Sequence, residues 1–324
     1  MIVITGGAGF IGSNLLWKFN QEGFTDILIV DNIQKSEKWK NLVNLKYSSY
    51  LHKDEFLSLV INNKINENID AVFHLGACSA TTETDMDYLM KNNVNYSITL
   101  AKWCQIIKAR FIYASSAATY GNGSQGFDDT KDISVLRPIN RYGYSKHLFD
   151  LWVKQQNLEN TMVGLKFFNV FGPNEYHKGS MQSIIQKSFQ NVKDNKSIQL
   201  FKSYHPKYSD GEQKRDFIYV KDTVNVMYWF FKNKTLNGLF NLGTGKAQTW
   251  NDLAKAVFLT RGKEIKDYIN YIEMPLHLQH HYQYFTEAKM TKLHQIGYKV
   301  SFTSLNDSIK DYIHNYLEKN LYLS

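Results

Sequence analysis

The stretch Met1-Ile2-Val3-Ile4-Thr5-Gly6-Gly7-Ala8-Gly9-Phe10-Ile11-Gly12 decides how the rest of this 324-residue chain is read. Ile2-Val3-Ile4 is apolar at every position, as a parallel strand buried on both faces must be. Gly6, Gly9 and Gly12 follow at intervals of three. Glycine there permits positive φ in a tight turn, close approach of backbone to a pyrophosphate, and close packing of helix on strand. Ser13-Asn14-Leu15-Leu16-Trp17 then begins a helix, whose N-terminus would offer unpaired N–H groups and a positive dipole end to phosphates. A glycine-rich turn can equally be a plain chain reversal, so the sequel matters. Ile27-Leu28-Ile29-Val30 reads as a second buried strand ending on Asp31, close to the spacing at which a carboxylate meets an adenosine ribose. The N-terminus is therefore expected to hold a dinucleotide.

Outward from that turn, strands alternate with helices. Strands are expected at Asp70–Ala77, Arg110–Ser116 and Thr161–Phe168, and helices near Asp54–Asn62, Asp87–Lys108 and Tyr142–Gln155. Between Asp31 and Lys53 the chain is polar and lysine-rich. Such alternation implies right-handed crossovers in a doubly wound parallel sheet, with ligands at the carboxyl ends of the strands. That rule singles out Asp31, the 76–82 and 115–120 segments, and Asn169–Pro173. Beyond Gly172 the pattern loosens, with further strands at Asp216–Val220 and Leu239–Leu242. The fold class expected is α/β: a Rossmann-type doubly wound parallel sheet with a smaller, mixed α/β substrate-binding lobe. The dinucleotide-binding domain would comprise 1–171 with 217–248, and the lobe 172–216 with 249–324.

Composition narrows the class. Hydrophobic residues make up 43% and charged residues 21%, as in soluble globular proteins. No apolar run approaches the roughly 18 residues of a membrane helix, and the N-terminus lacks a signal-peptide pattern, so a cytoplasmic protein with no membrane association is expected. Cys78 and Cys104 form no metal spacing and no disulfide framework, and no metal is expected. The net charge of +8 is spread among Asn and acidic residues without a basic tract, so it fits an anionic small molecule at least as well as nucleic acid and by itself decides nothing; no nucleic-acid partner is expected.

The chemistry-bearing group is Tyr142-Gly143-Tyr144-Ser145-Lys146. Tyr142 and Lys146 lie one turn apart on a helical face. A free phenol with a pKa near 10 is a poor base, and an adjacent ammonium would lower it into use. The spacing alone is weak, since Tyr228 and Lys232 repeat it inside an aromatic run that reads as a packed helix. Context favours Tyr142, because it follows the strand ending in Ser115-Ser116. The Ser116 hydroxyl could hold the substrate oxygen that Tyr142 deprotonates, or it could simply bond backbone.

These motifs, with Ser115-Ser116-Ala117-Ala118-Thr119-Tyr120-Gly121, resemble the extended short-chain dehydrogenase/reductase superfamily. Several segments resemble, more narrowly, its ADP-heptose 6-epimerase family: Gly76-Ala77-Cys78-Ser79, Phe168-Asn169-Val170, His177-Lys178-Gly179-Ser180-Met181, Lys214-Arg215-Asp216-Phe217 and Tyr282-Gln283. The resemblance implies inversion of C6 of a nucleotide-linked heptose in lipopolysaccharide core synthesis, with Lys178 as a second acid/base beside Tyr142, Lys146 and Ser116. It implies NADP held by Gly6, Gly9, Phe10, Ile11, Gly12, Asp31, Asn32, Lys38, Lys53, Leu75, Gly76, Ala77, Cys78, Ser79, Asn92, Tyr142, Lys146, Val170 and Lys178. Asp31 alone argues for NAD, since it would repel a 2′-phosphate, whereas Lys38 and Lys53 could neutralise one.

The substrate, a nucleotide diphosphate sugar, would meet Ser79, Ser116, Asn169, Ser180, Lys187, Phe201, Lys202, Ser203, Tyr204, Arg215 and Tyr282. Arg215 is the natural ligand for the pyrophosphate. A homopentamer is also implied. Leu75, Lys187 and Phe201–Tyr204 depart from the family pattern, which leaves open an epimerase of another nucleotide sugar. Ala117-Ala118 stand where sugar dehydratases carry Asp-Glu, which argues against dehydration. The alternative from another class is a non-catalytic NADP sensor.

Overall fold

The computed structural model describes residues 1–262, 269–279 and 282–324. Seven parallel strands form the main sheet, in the order Gly238–Leu242, Met162–Phe167, Arg110–Ser116, Ala71–His74, Ile2–Thr5, Ile27–Asp31, Ser49–His52. Every pairing is parallel. From Ile2–Thr5 the chain first moves outward through Ile27–Asp31, then returns to the other side through Ala71–His74. With right-handed crossovers that reversal puts helices on both faces and opens a crevice between the two inner strands. Helix Phe10–Gln21 packs on Val220–Lys232, while Lys53–Ile61, Tyr96–Ile106 and Arg141–Gln155 neighbour one another. The fold is the α/β doubly wound sheet the alternation implies.

A second hydrophobic core, including Phe171, Ile185, Phe189, Leu200, Phe217, Tyr219, Val257 and Tyr312, organises the smaller lobe. Two small sheets belong to it. Lys214–Tyr219 lies between Asn169–Phe171 (parallel) and Ala247–Thr249 (antiparallel), and Ile198–Phe201 pairs with Ile269–Ile272.

Three local expectations change. The strand expected at Asp216–Val220 runs from Lys214 to Tyr219 and pairs in the small sheet, because Phe217 and Tyr219 face the second core. Val220 instead opens a helix. The polar stretch before Lys53 contains an edge strand, Ser49–His52, whose exposed residues hide the apolar signal. The helix expected over Asp87–Lys108 passes through a π-helical segment, Met90–Asn95. No described helix is long and apolar enough to cross a membrane.

Candidate active site

The crevice is a cleft of about 480 Å³ at the carboxyl ends of the strands. Its floor is the glycine turn. Gly6 has φ +69°, and a Cβ there would lie 2.7 Å from the Gly76 nitrogen. A Cβ on Gly12 would lie 2.1 Å from the Gly6 carbonyl oxygen, so only glycine lets this helix approach the turn. Gly9 caps Phe10–Gln21 with no side-chain hydrogen bond and no acidic residue in the first turn. The helix N-terminus therefore keeps its donors for an anion, and the residues fit a dinucleotide pyrophosphate.

At the far end of the turn, the Asp31 carboxylate is buried and engaged. It accepts from the Ala8 N–H at 2.9 Å, the Asn32 N–H at 2.7 Å and Lys38 Nζ at 2.7 Å. Lys53 donates to the side chains of Asn92 and Asp54. One ammonium group thus sits on the carboxylate that would meet the adenosine ribose, and a second lines the same cleft.

A hydrogen-bond chain crosses the crevice beneath the cofactor end. The Gly76 N–H donates to Thr5 Oγ1 (3.1 Å), which pairs with His74 Nδ1 (2.7 Å). His74 Nε2 meets Ser97 Oγ (2.7 Å), and Ser97 donates to the Asn93 carbonyl. Each hydroxyl has only one proton, so this order leaves His74 neutral with its proton on Nε2. Burial agrees, pushing its pKa down to about 3. From the π-helical segment, Asn93 accepts from the Cys78 N–H and donates to the Cys78 carbonyl and to Ser145 Oγ. It ties the 76–79 loop to the helix bearing Tyr142, and π-helical turns recur at functional sites.

Helix Arg141–Gln155 starts with Asn140 capping the Gly143 N–H. Tyr142, Lys146 and Asp150 follow at four-residue steps along one face. Lys146 is buried, and its Nζ donates to the Ala114 carbonyl at 3.0 Å. Desolvation lowers its pKa to about 8, opposed by the charge of Asp150. Tyr142 is raised above the ordinary phenol by burial, and its hydrogen bond with Ser116 opposes that rise. The expected lowering by Lys146 is thus not the dominant influence here, because the ammonium is spent on a carbonyl. Ser116 also accepts from the Ala118 N–H at 3.1 Å, so it bonds backbone as well as facing Tyr142. Tyr228 packs against Phe19 and Lys232 is exposed, as an ordinary surface pair.

Lys178 reaches the same cleft from the short helical segment Tyr176–Met181. Its Nζ lies 5.2 Å from the Phe10 ring, and burial lowers its pKa. Val170 alone among the expected cofactor residues does not line the cleft. It lies in the small sheet, packed against both cores.

The expected substrate residues are dispersed. Ser79 lines the cleft, but Ser116, Asn169, Ser180, Lys187, Phe201, Lys202, Ser203, Tyr204, Arg215 and Tyr282 do not, Ser116 reaching it only through its bond to the cleft-lining Tyr142. Arg215 is buried, its guanidinium 5.0 Å from the Tyr282 ring and 5.8 Å from Trp250, with Nη1 on the Lys214 carbonyl. It has no carboxylate partner among the described ion pairs, and burial lowers its pKa. Lys202 and Tyr204 both bond Glu273, and Lys187 donates to the Ser180 carbonyl at 2.6 Å.

Two residues of the cleft walls, Tyr88 and Tyr96, escaped the sequence reading, which quoted His177 and Met181 only within a motif and gave them no role; His74, beneath the floor, escaped it as well. One signal existed for His74. It ends a buried strand in register with Thr5, two polar residues facing each other where apolar ones would be cheaper.

Residues 2–243 match the family described as NAD dependent epimerase/dehydratase. The chain belongs to this family. Among relatives in it, the ADP-L-glycero-D-manno-heptose-6-epimerase of Nitratidesulfovibrio vulgaris is 53% identical over 98% of both chains. That of Fusobacterium nucleatum is 47% identical, again over 98% of both. The crystal structure of the Helicobacter pylori ADP-L-glycero-D-manno-heptose-6-epimerase superposes with a TM-score of 0.80 at 28% identity, covering 97% of this chain and 95% of that one. Relatives this similar make the chain an epimerase, and so an isomerase, and family membership brings a nicotinamide cofactor.

Proposed function

We propose that the protein is an NADP-dependent epimerase that inverts C6 of ADP-D-glycero-D-manno-heptose to give ADP-L-glycero-D-manno-heptose, for lipopolysaccharide core synthesis in the cytoplasm. The observation that carries the reading is that Tyr142, Lys146 and Lys178 line one cleft floored by the glycine turn. The names of the 53% and 47% identical relatives supply the sugar. Bound nicotinamide would supply a hydride acceptor and donor for the sugar carbon and end each turnover unchanged.

The chain's own residues handle the protons. Ser116 holds the reacting oxygen, and Tyr142 takes the hydroxyl proton at its phenol oxygen. A substrate or cofactor hydroxyl that draws Lys146 off the Ala114 carbonyl toward Tyr142 would lower the phenol's pKa when it is needed. Inversion requires a proton to be handled on each face of the ketone. Lys178 supplies the second group, and its lowered pKa brings it nearer the working range of an acid/base.

NADP over NAD rests on the Asp31–Lys38 pair. A carboxylate already neutralised and fully bonded repels a 2′-phosphate less, and Lys53 adds a second cation. Arg215, buried without a carboxylate partner among the described residues, is suited to the substrate pyrophosphate, with Tyr282, Ser180 and Asn169 around it. A homopentamer is part of the same proposal.

The test is a chromatographic assay of purified protein with ADP-heptose epimers and no added cofactor. Interconversion is expected, and its absence, or a product lighter by one water, overturns the assignment. One observation favours a second reading, an epimerase of another nucleotide sugar: Lys202 and Tyr204 are committed to Glu273 rather than presented to a ligand. A panel of nucleotide sugars in the same assay separates the two.

A further inference from the structure

Lys178 stands on a segment that cannot hold itself in place. Tyr176–Met181 is a short helical stretch broken by Gly179 at φ +53°. Its position comes from anchors on the residues just before it. Asn14 Nδ2 donates to the Pro173 carbonyl at 2.9 Å, and Asn174 Nδ2 to Ser13 Oγ at 3.0 Å. Asn41 Nδ2 reaches the Asn174 carbonyl and His177 Nδ1, both at 3.2 Å. Buried Glu175 accepts from the Ser183 N–H and hydroxyl. The first three cannot be dissected from the cofactor site, because Ser13, Asn14 and Asn41 also bond the carbonyls of Phe10 and Ala8 in the glycine turn and the start of its helix.

One further anchor can be. The Leu323 N–H donates to the buried Asn174 Oδ1 at 3.2 Å, and Tyr176 donates its hydroxyl to the Leu321 carbonyl at 2.9 Å. The Tyr176 and Tyr322 rings meet edge to face at 5.0 Å, and Leu323 is buried. Trp17 Nε1 closes the tail onto the first helix through the Ser324 carbonyl. We propose that residues 321–324 form a strap that positions Lys178, holding its loop against the cleft from behind while touching neither cofactor nor substrate.

The strap grips the two residues that fix the loop's path. Asn174 has φ +71°, a left-handed conformation in which its side chain is held between the first helix and the tail. Tyr176 begins the helical stretch and lies two residues before Lys178. Without the strap the loop keeps its inner anchors, so cofactor binding survives while the lysine is displaced. Displacement of a catalytic group by about 1 Å can lower rates about 100-fold.

The inference rests on the role proposed for Lys178, and a double-mutant cycle separates the two. Truncation after Asn320 is compared in the wild-type and Lys178→Met backgrounds, with Tyr176→Phe as a milder second variant that removes one hydrogen bond and keeps the ring. In the wild-type background we expect truncation to lower kcat about 10- to 100-fold with KM and bound cofactor unchanged, and Tyr176→Phe to lower it by less. In the Lys178→Met background we expect neither to have a further effect. Equal losses in both backgrounds, or loss of cofactor, overturn the strap and leave the function standing. Full activity of Lys178→Met alone overturns the lysine's role and the strap's purpose together.

Discussion

At the cofactor end of the cleft the ligand-facing surface is largely backbone. The glycine turn, the uncapped helix and the 76–79 loop are held by buried hydrogen bonds through Thr5, His74, Ser97 and Asn93. The residues proposed for the substrate are side chains from scattered segments outside that cleft, and several are engaged within the protein: Lys202 and Tyr204 with Glu273, Tyr282 with Trp250 Nε1, and Lys187 with the Ser180 carbonyl. The first end is preformed and tolerates no insertion of atoms. The second, on the proposed reading, would exchange internal partners for a ligand. A cofactor common to a whole family can be met by backbone, whereas a particular sugar has to be met by groups that can vary.

The sharpest way to break this contrast lies where the two ends meet. Tyr142→Phe combined with Lys178→Met removes both groups proposed to handle protons while leaving the glycine turn intact. Turnover should fall at least 10²–10⁴-fold, the range for loss of general acid–base catalysis, with cofactor still co-purifying. Rates near wild type would remove both residues from the chemistry. Loss of cofactor would show that the two ends are not separable.

Lys146 tests how much strain the preformed end carries. Its folded pKa of about 8 lies below the ordinary lysine value, so the charged form is disfavoured by folding. The penalty is therefore fully present below about pH 8. It fades as pH rises toward the unfolded value of 10.5, where the unfolded chain binds the extra proton. The shift corresponds to a penalty on the order of 3 kcal/mol at neutral pH. Lys146→Met should thus raise the melting temperature at pH 7 while abolishing activity, and the gain should shrink at pH 10. A lower melting temperature at pH 7 would show that the Ala114 hydrogen bond outweighs the buried charge.

How legible each end was follows from the same contrast. Backbone binding is written locally, because a Cβ at Gly12 would collide with Gly6, and Gly6, Gly9 and Gly12 lie within seven consecutive residues. Tyr142 and Lys146 were readable because a helix converts a spacing of four into a shared face. Asn93 was not, since nothing in Met90–Asn95 announces a π-helical turn, and its partners Cys78 and Ser145 are 15 and 52 residues away. Nor could the sequence show that Asp31 is already paired with Lys38, or that Lys146 bonds a carbonyl instead of assisting Tyr142. Which sheet the strand Lys214–Tyr219 joins is not legible either, because a buried apolar run looks the same in both. Pairing partners, not residue types, were what the sequence lacked.

Gly12→Ala sharpens the backbone side of the comparison. With the new methyl 2.1 Å from a carbonyl oxygen the helix must shift. Overpacking of this kind costs about 1–3 kcal/mol, which predicts cofactor binding roughly 10- to 100-fold weaker and is measurable by fluorescence titration. Undiminished affinity would mean that the turn yields more readily than its contacts suggest. Arg215→Lys makes the matching change at the side-chain end, keeping the charge but losing the planar fork. KM should rise about tenfold with kcat little changed, the cost of one charge-assisted hydrogen bond. A fall in kcat alone would place Arg215 nearer the reacting carbon than the pyrophosphate.

The smallest effect concerns Glu273. If Lys202 and Tyr204 must leave it to meet substrate, Glu273 competes with the ligand, and Glu273→Gln should lower KM. The Lys202–Glu273 pair lies on the surface, its side chains 44% and 68% exposed. Exposed pairs are worth about 0–1 kcal/mol, so the fall should be no more than about fivefold, fading in high salt as the competing pair is screened. A raised KM would mean the opposite, that Glu273 holds the two side chains in the posture the substrate requires. The substrate end would then be as preformed as the cofactor end, and the contrast between them would be one of materials only.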